Sequence, residues 1–189
     1  MKVPQHQTHR KARARLRLAR ERIARADYNS AIAFLRSALK QLERDPASPL
    51  DRAQCYLELA RCHNLQGEHA SAIPYCQWAM NLLQHEWNAS LIQAEAKLQM
   101  GISLLYTGDV RKAQRYLAGA YQTFEAHNQW MKMALCAEHI GILAKQQQQM
   151  VRAINALHYA RRLYRYLEDL DGVHRIENQL RELIPEEQE

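Results

Sequence analysis

Glycine and proline are scarce in this chain of 189 residues, with 6 and 5 occurrences, and alternating runs of β-branched residues bounded by turn signals are absent. Both features argue against a β-sheet. The abundant residues are Ala, Leu, Gln, Arg and Glu, which favour helix along nearly the whole chain. A hydrophobic content of 47% excludes a wholly disordered protein.

Several other features are missing. No window is apolar enough to span a bilayer, and the first residues are charged, so we expect neither a membrane span nor a signal peptide. The four cysteines are Cys55, Cys62, Cys76 and Cys136, and no two of them form a CxxC pair. Together with the scattered histidines, they match no recognised spacing of metal ligands. No carboxylate pair, nucleophile motif or glycine-rich phosphate loop appears. We therefore expect a cytoplasmic protein with reduced thiols, no metal, no cofactor and no catalytic residues.

A pattern of small residues recurs along the chain. An alanine is followed four residues later by Leu or Cys, and three residues after that by another alanine. The leading alanines are 41, 41 and 40 residues apart: Ala31, Ala72, Ala113 and Ala153. Ahead of each comes a large apolar residue followed by Gly or Ala: Leu18-Ala19, Leu59-Ala60, Met100-Gly101 and Ile140-Gly141. Because small contact residues let antiparallel helices approach closely, the pattern predicts four helical pairs.

This arrangement resembles the tetratricopeptide repeat (TPR) family, whose signature has a large and a small residue in the first helix and A-x3-F-x2-A in the second. The repeat is longer than the family's usual one of about 34 residues, as in kinesin light chains and bacterial peptide-sensing regulators. The resemblance implies an all-α, right-handed TPR-like superhelical solenoid of four helix-turn-helix repeats with a C-terminal capping helix. The predicted boundaries are a flexible N-terminus over 1–9, repeats over 10–47, 48–88, 89–128 and 129–169, a capping helix over 170–185 and a tail over 186–189, with a single domain over 10–185.

Local signals support these boundaries. "SPLD", residues 48–51, is typical of a helix start with proline at the first helical position. Turns inside repeats are expected at Gly67 and Gly108, with "QQQQ" (146–149) in place of the glycine turn in the fourth repeat, and a local kink is expected at Pro74. The capping helix has one apolar stripe, ended by Pro185: Val173, Ile176, Leu180 and Ile184.

In the TPR family, ligands lie in a concave groove lined by the first helix of each repeat. Transferring this by distance from each turn gives four sets of candidate groove residues. They are Arg13, Leu16, Arg17, Arg20 and Ile23; Gln54, Leu57, Glu58, Arg61 and Asn64; Glu95, Leu98, Gln99, Ile102 and Leu105; and Leu135, Glu138, His139, Ile142 and Lys145. The positions that would form the family's clamp for a C-terminal carboxylate do not carry the required Lys, Asn and Arg, so we do not predict a chaperone-tail receptor.

Positive charge is concentrated at the N-terminal end. Residues 1–45 carry 12 basic and 4 acidic side chains, a net +8, whereas residues 46–189 carry 14 and 16, a net −2. Eight of the basic residues lie in "RKARARLRLARERIAR" (10–25). This run has three interpretations: a polar end cap, a docking site for an acidic protein, or a nucleic-acid site that contacts phosphates.

The sequence favours a non-enzymatic scaffold or adaptor that binds a peptide or helix of another protein in its groove, with an acidic segment of that partner at the basic end. The alternatives are a nucleic-acid-associated regulator that uses the basic helix, and a peptide-sensing regulatory module. Trp87 and Trp130 fall in links between repeats, where they form either a partner patch or a staple on a helix start. The oligomeric state is left open.

Overall fold

The computed structural model describes residues 5–42, 49–86 and 89–183, and within these ranges the chain forms nine α-helices and no strand. In chain order they are α1 (Gln5–Ala24), α2 (Tyr28–Leu42), α3 (Pro49–Leu65), α4 (His69–Leu83), α5 (Ser90–Tyr106), α6 (Val110–Ala126), α7 (Trp130–Gln146), α8 (Met150–Tyr166) and α9 (Leu170–Leu183). The prediction of an all-α helical repeat is confirmed. None of the described helices is long and apolar enough to cross a bilayer.

The repeated alanines lie at the contact between the two helices of each pair. Both alanines of every repeat are completely buried: Ala31, Ala38, Ala72, Ala79, Ala113, Ala120, Ala153 and Ala160. The larger residues between them fill the remaining space and are also buried: Leu35, Cys76, Leu117 and Leu157. The small residues therefore set the close approach of the helices, as the sequence predicted.

Two first helices approach their partners so closely that a Cβ atom at the glycine of the contact would clash with the leucine opposite. A Cβ atom on Gly101 would lie 2.7 Å from Cγ of Leu117, and one on Gly141 would lie 2.8 Å from Cδ2 of Leu157. The same position holds alanine in the first two repeats, where Ala19 and Ala60 are fully buried. The third and fourth repeats are thus packed more tightly at this point.

The turn inside each repeat contains one residue in the left-handed region. These residues are Ala26, Gly67, Gly108 and Gln148, with φ of 57°, 78°, 91° and 58°. They are spaced by one repeat length, so the geometry is conserved along the chain although only two of the four are glycines. Gln148 takes the glycine position in the glutamine tract, as predicted.

The observed boundaries differ from the predicted ones at the N-terminus. The sequence predicted a flexible segment up to residue 9, but α1 begins at Gln5, because no glycine or proline interrupts the helix before Ala24. α3 begins at Pro49, and α4 runs as one helix through Pro74. Val173, Ile176 and Leu180 are buried in α9, as predicted. The predicted roles of Ser48, Trp87, Ile184 and Pro185 fall outside the described residues.

The odd-numbered helices form the inner layer of the stack. α1 contacts α3, α3 contacts α5 and α5 contacts α7, in addition to the packing of each helix on its even-numbered partner. Direct contacts along the odd series mean that these helices are more closely spaced than the even ones, so the stack curves towards them. We call the exposed side of α1, α3, α5 and α7 that faces away from the even-numbered helices the inner face.

Candidate binding site on the inner face

Most of the predicted groove residues lie on the inner face, at least partly exposed. These are Arg13, Arg17, Arg20, Gln54, Arg61, Asn64, Glu95, Gln99, Ile102, Leu135, His139, Ile142 and Lys145. The 3.6-residue period of the helix places them on one side, because residues three or four apart are neighbours on the surface. What the sequence did not predict is how extensively these side chains contact one another across helices.

Some of the predicted groove residues are core residues instead. Leu57 and Leu98 are 4% and 1% exposed, so neither is available to a ligand. Leu16, Ile23 and Leu105 are likewise buried. The prediction placed groove residues by their distance from each turn. It therefore also included residues on the side of the helix that packs on the even-numbered partner.

Ion pairs connect α1 to α3. Arg13 donates from Nε to Asp51 at 3.1 Å, and Arg20 donates from Nε to Glu58 at 2.6 Å. Both pairs span 38 residues, whereas the repeat is 40–41 residues long. In the next repeat, the acceptor therefore lies about one helical turn before the position that corresponds to the donor. We call these contacts rungs, because they recur between successive helices.

Further rungs occur towards the C-terminus. Lys132 lies 3.2 Å from Glu95, and Lys145 lies 2.8 Å from Glu182. A neutral rung joins α3 to α5, where Asn64 donates to the backbone carbonyl of Gln99 at 3.0 Å and Ser103 donates to Oδ1 of Asn64 at 2.9 Å. A spacing of 37–38 between opposite charges was the sequence signal that could have identified the charged rungs.

Glu58 is the focus of the most basic part of the inner face. Its side chain is 7% exposed, Arg20 binds Oε1, and Arg61 lies 3.8 Å from Oε2. Oε2 is buried and has no hydrogen-bond partner among the described residues. Arg20 and Arg61 remain about half exposed, at 50% and 48%. Two guanidinium groups thus share one carboxylate, which leaves a net positive charge that is open to solvent.

Arg17 and Arg10 add to this positive surface. Both are exposed, and neither has an ion-pair partner among the described residues. They are seven residues apart, so they lie on the same side of α1. After the rungs are taken into account, the α1 end of the inner face therefore keeps its positive charge, as the composition of the sequence predicted.

Aromatic rings from α5 and α7 lie in the middle of the stack, next to a ring at the start of α4. The rings of His69 and Tyr106 stack with centroids 4.4 Å apart, and Tyr106 meets His139 edge-on at 6.4 Å. Burial lowers the pKa of His139 to about 4, an effect that the neighbouring Glu138 opposes. Nδ1 of His139 is buried with no hydrogen-bond partner among the described residues. Sequence reasoning identified His139 but not the rings from the other two helices.

Glu138 was predicted as a groove residue, but it is 4% exposed and belongs to the interior. It occupies the position that holds Leu57 and Leu98 in the preceding repeats. Burial by itself would raise the pKa of Glu138, but hydrogen bonds from Arg175 and Tyr164 outweigh burial and hold the pKa below its usual value. The carboxylate is therefore a structural charge rather than a ligand-binding group.

The cysteines are buried free thiols, and burial raises the pKa of each to about 12. They are consequently poor nucleophiles. In the described part of the chain, no group of three or more His, Cys, Asp or Glu residues is placed to hold a metal ion.

Solved structures share this architecture, although no protein-family model and no curated protein matches the sequence. Aspartyl phosphate phosphatase F from Bacillus subtilis aligns with a TM-score of 0.67 and 14% identity over 92% of this chain and 50% of its own. BtubC (BKLC) from P. vanneervenii aligns with a TM-score of 0.62 and 14% identity over 96% of this chain and 91% of its own. A putative kinesin light chain from Podosopora anserina with nearly identical TPR-like repeats aligns with a TM-score of 0.54 and 15% identity over 93% of this chain and 95% of its own.

The extent of these matches differs among the neighbours. The chain spans about half the length of the phosphatase and of RapI, a further neighbour with a TM-score of 0.61 and 12% identity over 91% of this chain. It aligns over nearly the full length of the other two. Identities of 12–15% inform about the fold alone. On this likeness, and on the repeats described above, the chain has the fold of a TPR-like helical repeat protein.

Proposed function

We propose that the protein is a non-enzymatic scaffold or adaptor that binds a peptide or helix of another protein on its inner face. The observation that carries this proposal is the positive surface around Glu58, where Arg20 and Arg61 share one buried carboxylate. Arg17 lies on the same side of α1 and adds a third guanidinium group. An acidic side chain or C-terminal carboxylate of a partner would complement this surface.

The rest of the inner face supports a partner with an apolar section. Ile102 on α5 and Ile142 on α7 are half-buried, beside the rings of Tyr106 and His139. A bound segment would place apolar side chains here and acidic ones towards α1. The charge gradient would then fix the direction of binding, while the apolar and aromatic contacts supply most of the affinity.

The surroundings of the thiols fit a reducing compartment, and we place the scaffold in the cytoplasm. All of the cysteines are free, and none is paired in a disulfide. The phosphatase activity in the name of one structural neighbour belongs to a protein about twice as long, and our proposal does not transfer it to this chain.

The test is affinity capture from native lysate with the intact chain as bait, with and without nuclease. The test variant is Arg10→Glu with Arg17→Glu, because both residues are exposed and have no ion-pair partner among the described residues. The matched control is Arg36→Glu with Lys40→Glu on α2, which changes the net charge equally on exposed residues away from the inner face. Arg20 is left intact because it compensates buried Glu58.

The proposal predicts a protein that is retained after nuclease treatment, retained by the α2 control and lost with the α1 variant. Binding that disappears with nuclease, and that weakens by several decades as salt is raised, would instead identify α1 as a nucleic-acid site. A protein captured equally by both variants would show that the positive surface is not the binding site.

A further inference from the structure

A second positive surface lies on the side of α1 that faces away from α3. Lys11 and Leu18 are seven residues apart and therefore share a helix side, and Arg25 follows the last residue of α1 in the turn. Arg13 and Arg20, which form the rungs to α3, lie on the opposite side. We call Lys11, Leu18 and Arg25 the outer face of α1. Leu18 is 42% exposed, so the outer face has an apolar centre between two cations.

The equivalent residues of later repeats show which contacts this helix face makes there. Leu18 is equivalent to Leu59 and Met100, which are 0% and 3% exposed. In those repeats the preceding helical pair covers the residue, and Leu59 belongs to the same core cluster as Leu35 and Leu39 of α2. Leu18 thus occupies a position whose equivalents are contacts between stacked repeats. The outer face of α1 is a stacking surface with no repeat packed on it in the described chain.

An exposed apolar surface of complementary charge lies at the other end of the stack. We call Trp130, Tyr166, Glu168, Leu170 and Asp171 the C-terminal patch. Tyr166 and Leu170 are 74% and 68% exposed, and the ring of Trp130 lies 6.3 Å from that of Tyr166. Glu168 and Asp171 are exposed and form no ion pair with any described residue.

This apolar character is greater than in the preceding repeat. One repeat earlier, the residues equivalent to Trp130 and Tyr166 are Ser90 and Ala126. The shift from small residues to large aromatic ones is therefore not required by the repeat itself. Contiguous exposed aromatic and aliphatic side chains are typical of surfaces that bind another protein.

We propose that the outer face of α1 binds the C-terminal patch of a second copy of this chain, so that copies associate head to tail. Leu18 contacts the apolar side chains of the patch, and the positive charge of this part of α1 complements Glu168 and Asp171. Because the two surfaces are different, the interface is heterologous and does not by itself limit the number of copies.

This proposal is independent of partner binding on the inner face. Its residues on α1, Lys11 and Leu18, lie about a quarter turn around the helix from Arg10 and Arg17. A chain that binds a partner but stays monomeric would refute the head-to-tail contact alone, and an associating chain without a partner would refute the scaffold alone.

The experiment is sedimentation velocity on the intact chain over a wide range of concentrations, at low and at high salt. We expect the average mass to rise with concentration and to fall when salt is added. Two charge reversals, Lys11→Glu with Arg25→Glu and Glu168→Lys with Asp171→Lys, should each weaken association by about tenfold or more, since like charges then face each other. Lys40→Glu with Arg111→Glu, on the exposed sides of α2 and α6, is the matched control and should associate like the parent chain.

The decisive step is to mix the two reversed variants. In the mixture, each reversed surface meets a partner of opposite charge, so association should return. Leu18→Ser should weaken association without any change of charge, and circular dichroism should show unchanged helix content in every variant. A parent chain that is monomeric at all concentrations, association that the reversals do not alter, or a mixture that stays monomeric would each overturn the proposal.

Discussion

Arg175 donates from Nε to Oε1 of Glu138 at 2.7 Å, and so connects the capping helix α9 to a buried carboxylate of α7. Tyr164 donates to the other carboxylate oxygen at 2.7 Å. Glu138 is buried where two earlier repeats carry leucine, so the fold places a charge in an apolar position and compensates it from α8 and α9. Polar contacts therefore hold the capping helix to the last repeat at a position where the second and third repeats carry leucine.

Arg175→Gln should lower the free energy of unfolding by about 2 kcal/mol at neutral pH, because the buried carboxylate loses its only charged partner in the described chain. The difference in free energy of unfolding between the variant and the parent should become smaller at acidic pH. The folded-state pKa of Glu138 is below its usual value in the parent, so the stability it contributes is present at neutral pH and lost as pH falls through the lowered pKa. Urea unfolding at several pH values measures both effects.

The matched control for this prediction is Arg181→Gln. Arg181 is exposed on the same helix and donates to Asn178 at 3.1 Å. Its loss should change the free energy of unfolding by less than about 0.5 kcal/mol. Equal losses for the two variants would show that Glu138 does not depend on Arg175.

His139→Gln should reduce the pH dependence of stability between pH 6.5 and about 4. His139 protonates near 6.5 in the unfolded chain but only near 4 in the folded one, mainly because of burial, although Glu138 opposes this and Arg175 and His69 add to it. Stability in the parent is thus complete above pH 6.5 and falls by about 1–3 kcal/mol as pH drops through this range. Glutamine is the residue at the equivalent position in the preceding repeat, Gln99.

The measurement for His139 is the midpoint of urea unfolding, recorded from pH 7 down to about 4. His174→Gln, at an exposed position of α9, should reproduce the parent profile. If the profile of the His139 variant coincides with that of the parent, the environment assigned to His139 is wrong.

Gly101→Ala should lower the free energy of unfolding by about 1–2 kcal/mol, although alanine has the higher helix propensity. The new Cβ would lie 2.7 Å from Cγ and 3.2 Å from the backbone nitrogen of Leu117, so the Leu117 side chain or the helix pair must shift. Leu117→Cys in the same chain should recover part of the loss, because repeat 2 combines Ala60 with Cys76 at these positions. Thermal unfolding of the single and double variants tests this, and a single variant as stable as the parent would contradict it.

Gln148→Gly should stabilise the fold by about 0.5–1 kcal/mol. Gln148 has a φ of 58°, a conformation that costs an L-residue energy but glycine little. Gly108→Ala, at the equivalent turn with a φ of 91°, should destabilise for the same reason. Melting temperatures that move in opposite directions for the two variants would support the assignment, whereas a shift of the same sign would not.

The sequence contained enough to predict the repeat architecture, because helix contacts restrict residue size. Ala113 and Ala120 can be identified from the letters alone, since close packing requires small side chains wherever two helices touch. The positions of the turns inside the repeats could also be predicted from the sequence. The start of α1 could not be predicted, because polar residues such as those over 5–9 neither require nor prevent a helix.

The exposed residues of the inner face were predicted less well, because exposure depends on the other helices. Leu98 and Ile102 are one turn apart on α5, yet the first is core and the second is half-exposed. The partner of Glu138 is 37 residues away on a helix that the sequence indicated only as a cap. Contacts of this range arise from the stacking of repeats, so a count along one helix does not find them.

The rungs between successive first helices also affect how the groove responds to strain. They lie on the inner side of the curved stack, so any motion that opens the groove must lengthen pairs such as Arg13–Asp51 and Lys145–Glu182. Because these pairs are partly exposed, added salt weakens them. The array should therefore behave as a spring whose stiffness falls as ionic strength rises, and the width of its opening would depend on the solution as well as on the sequence.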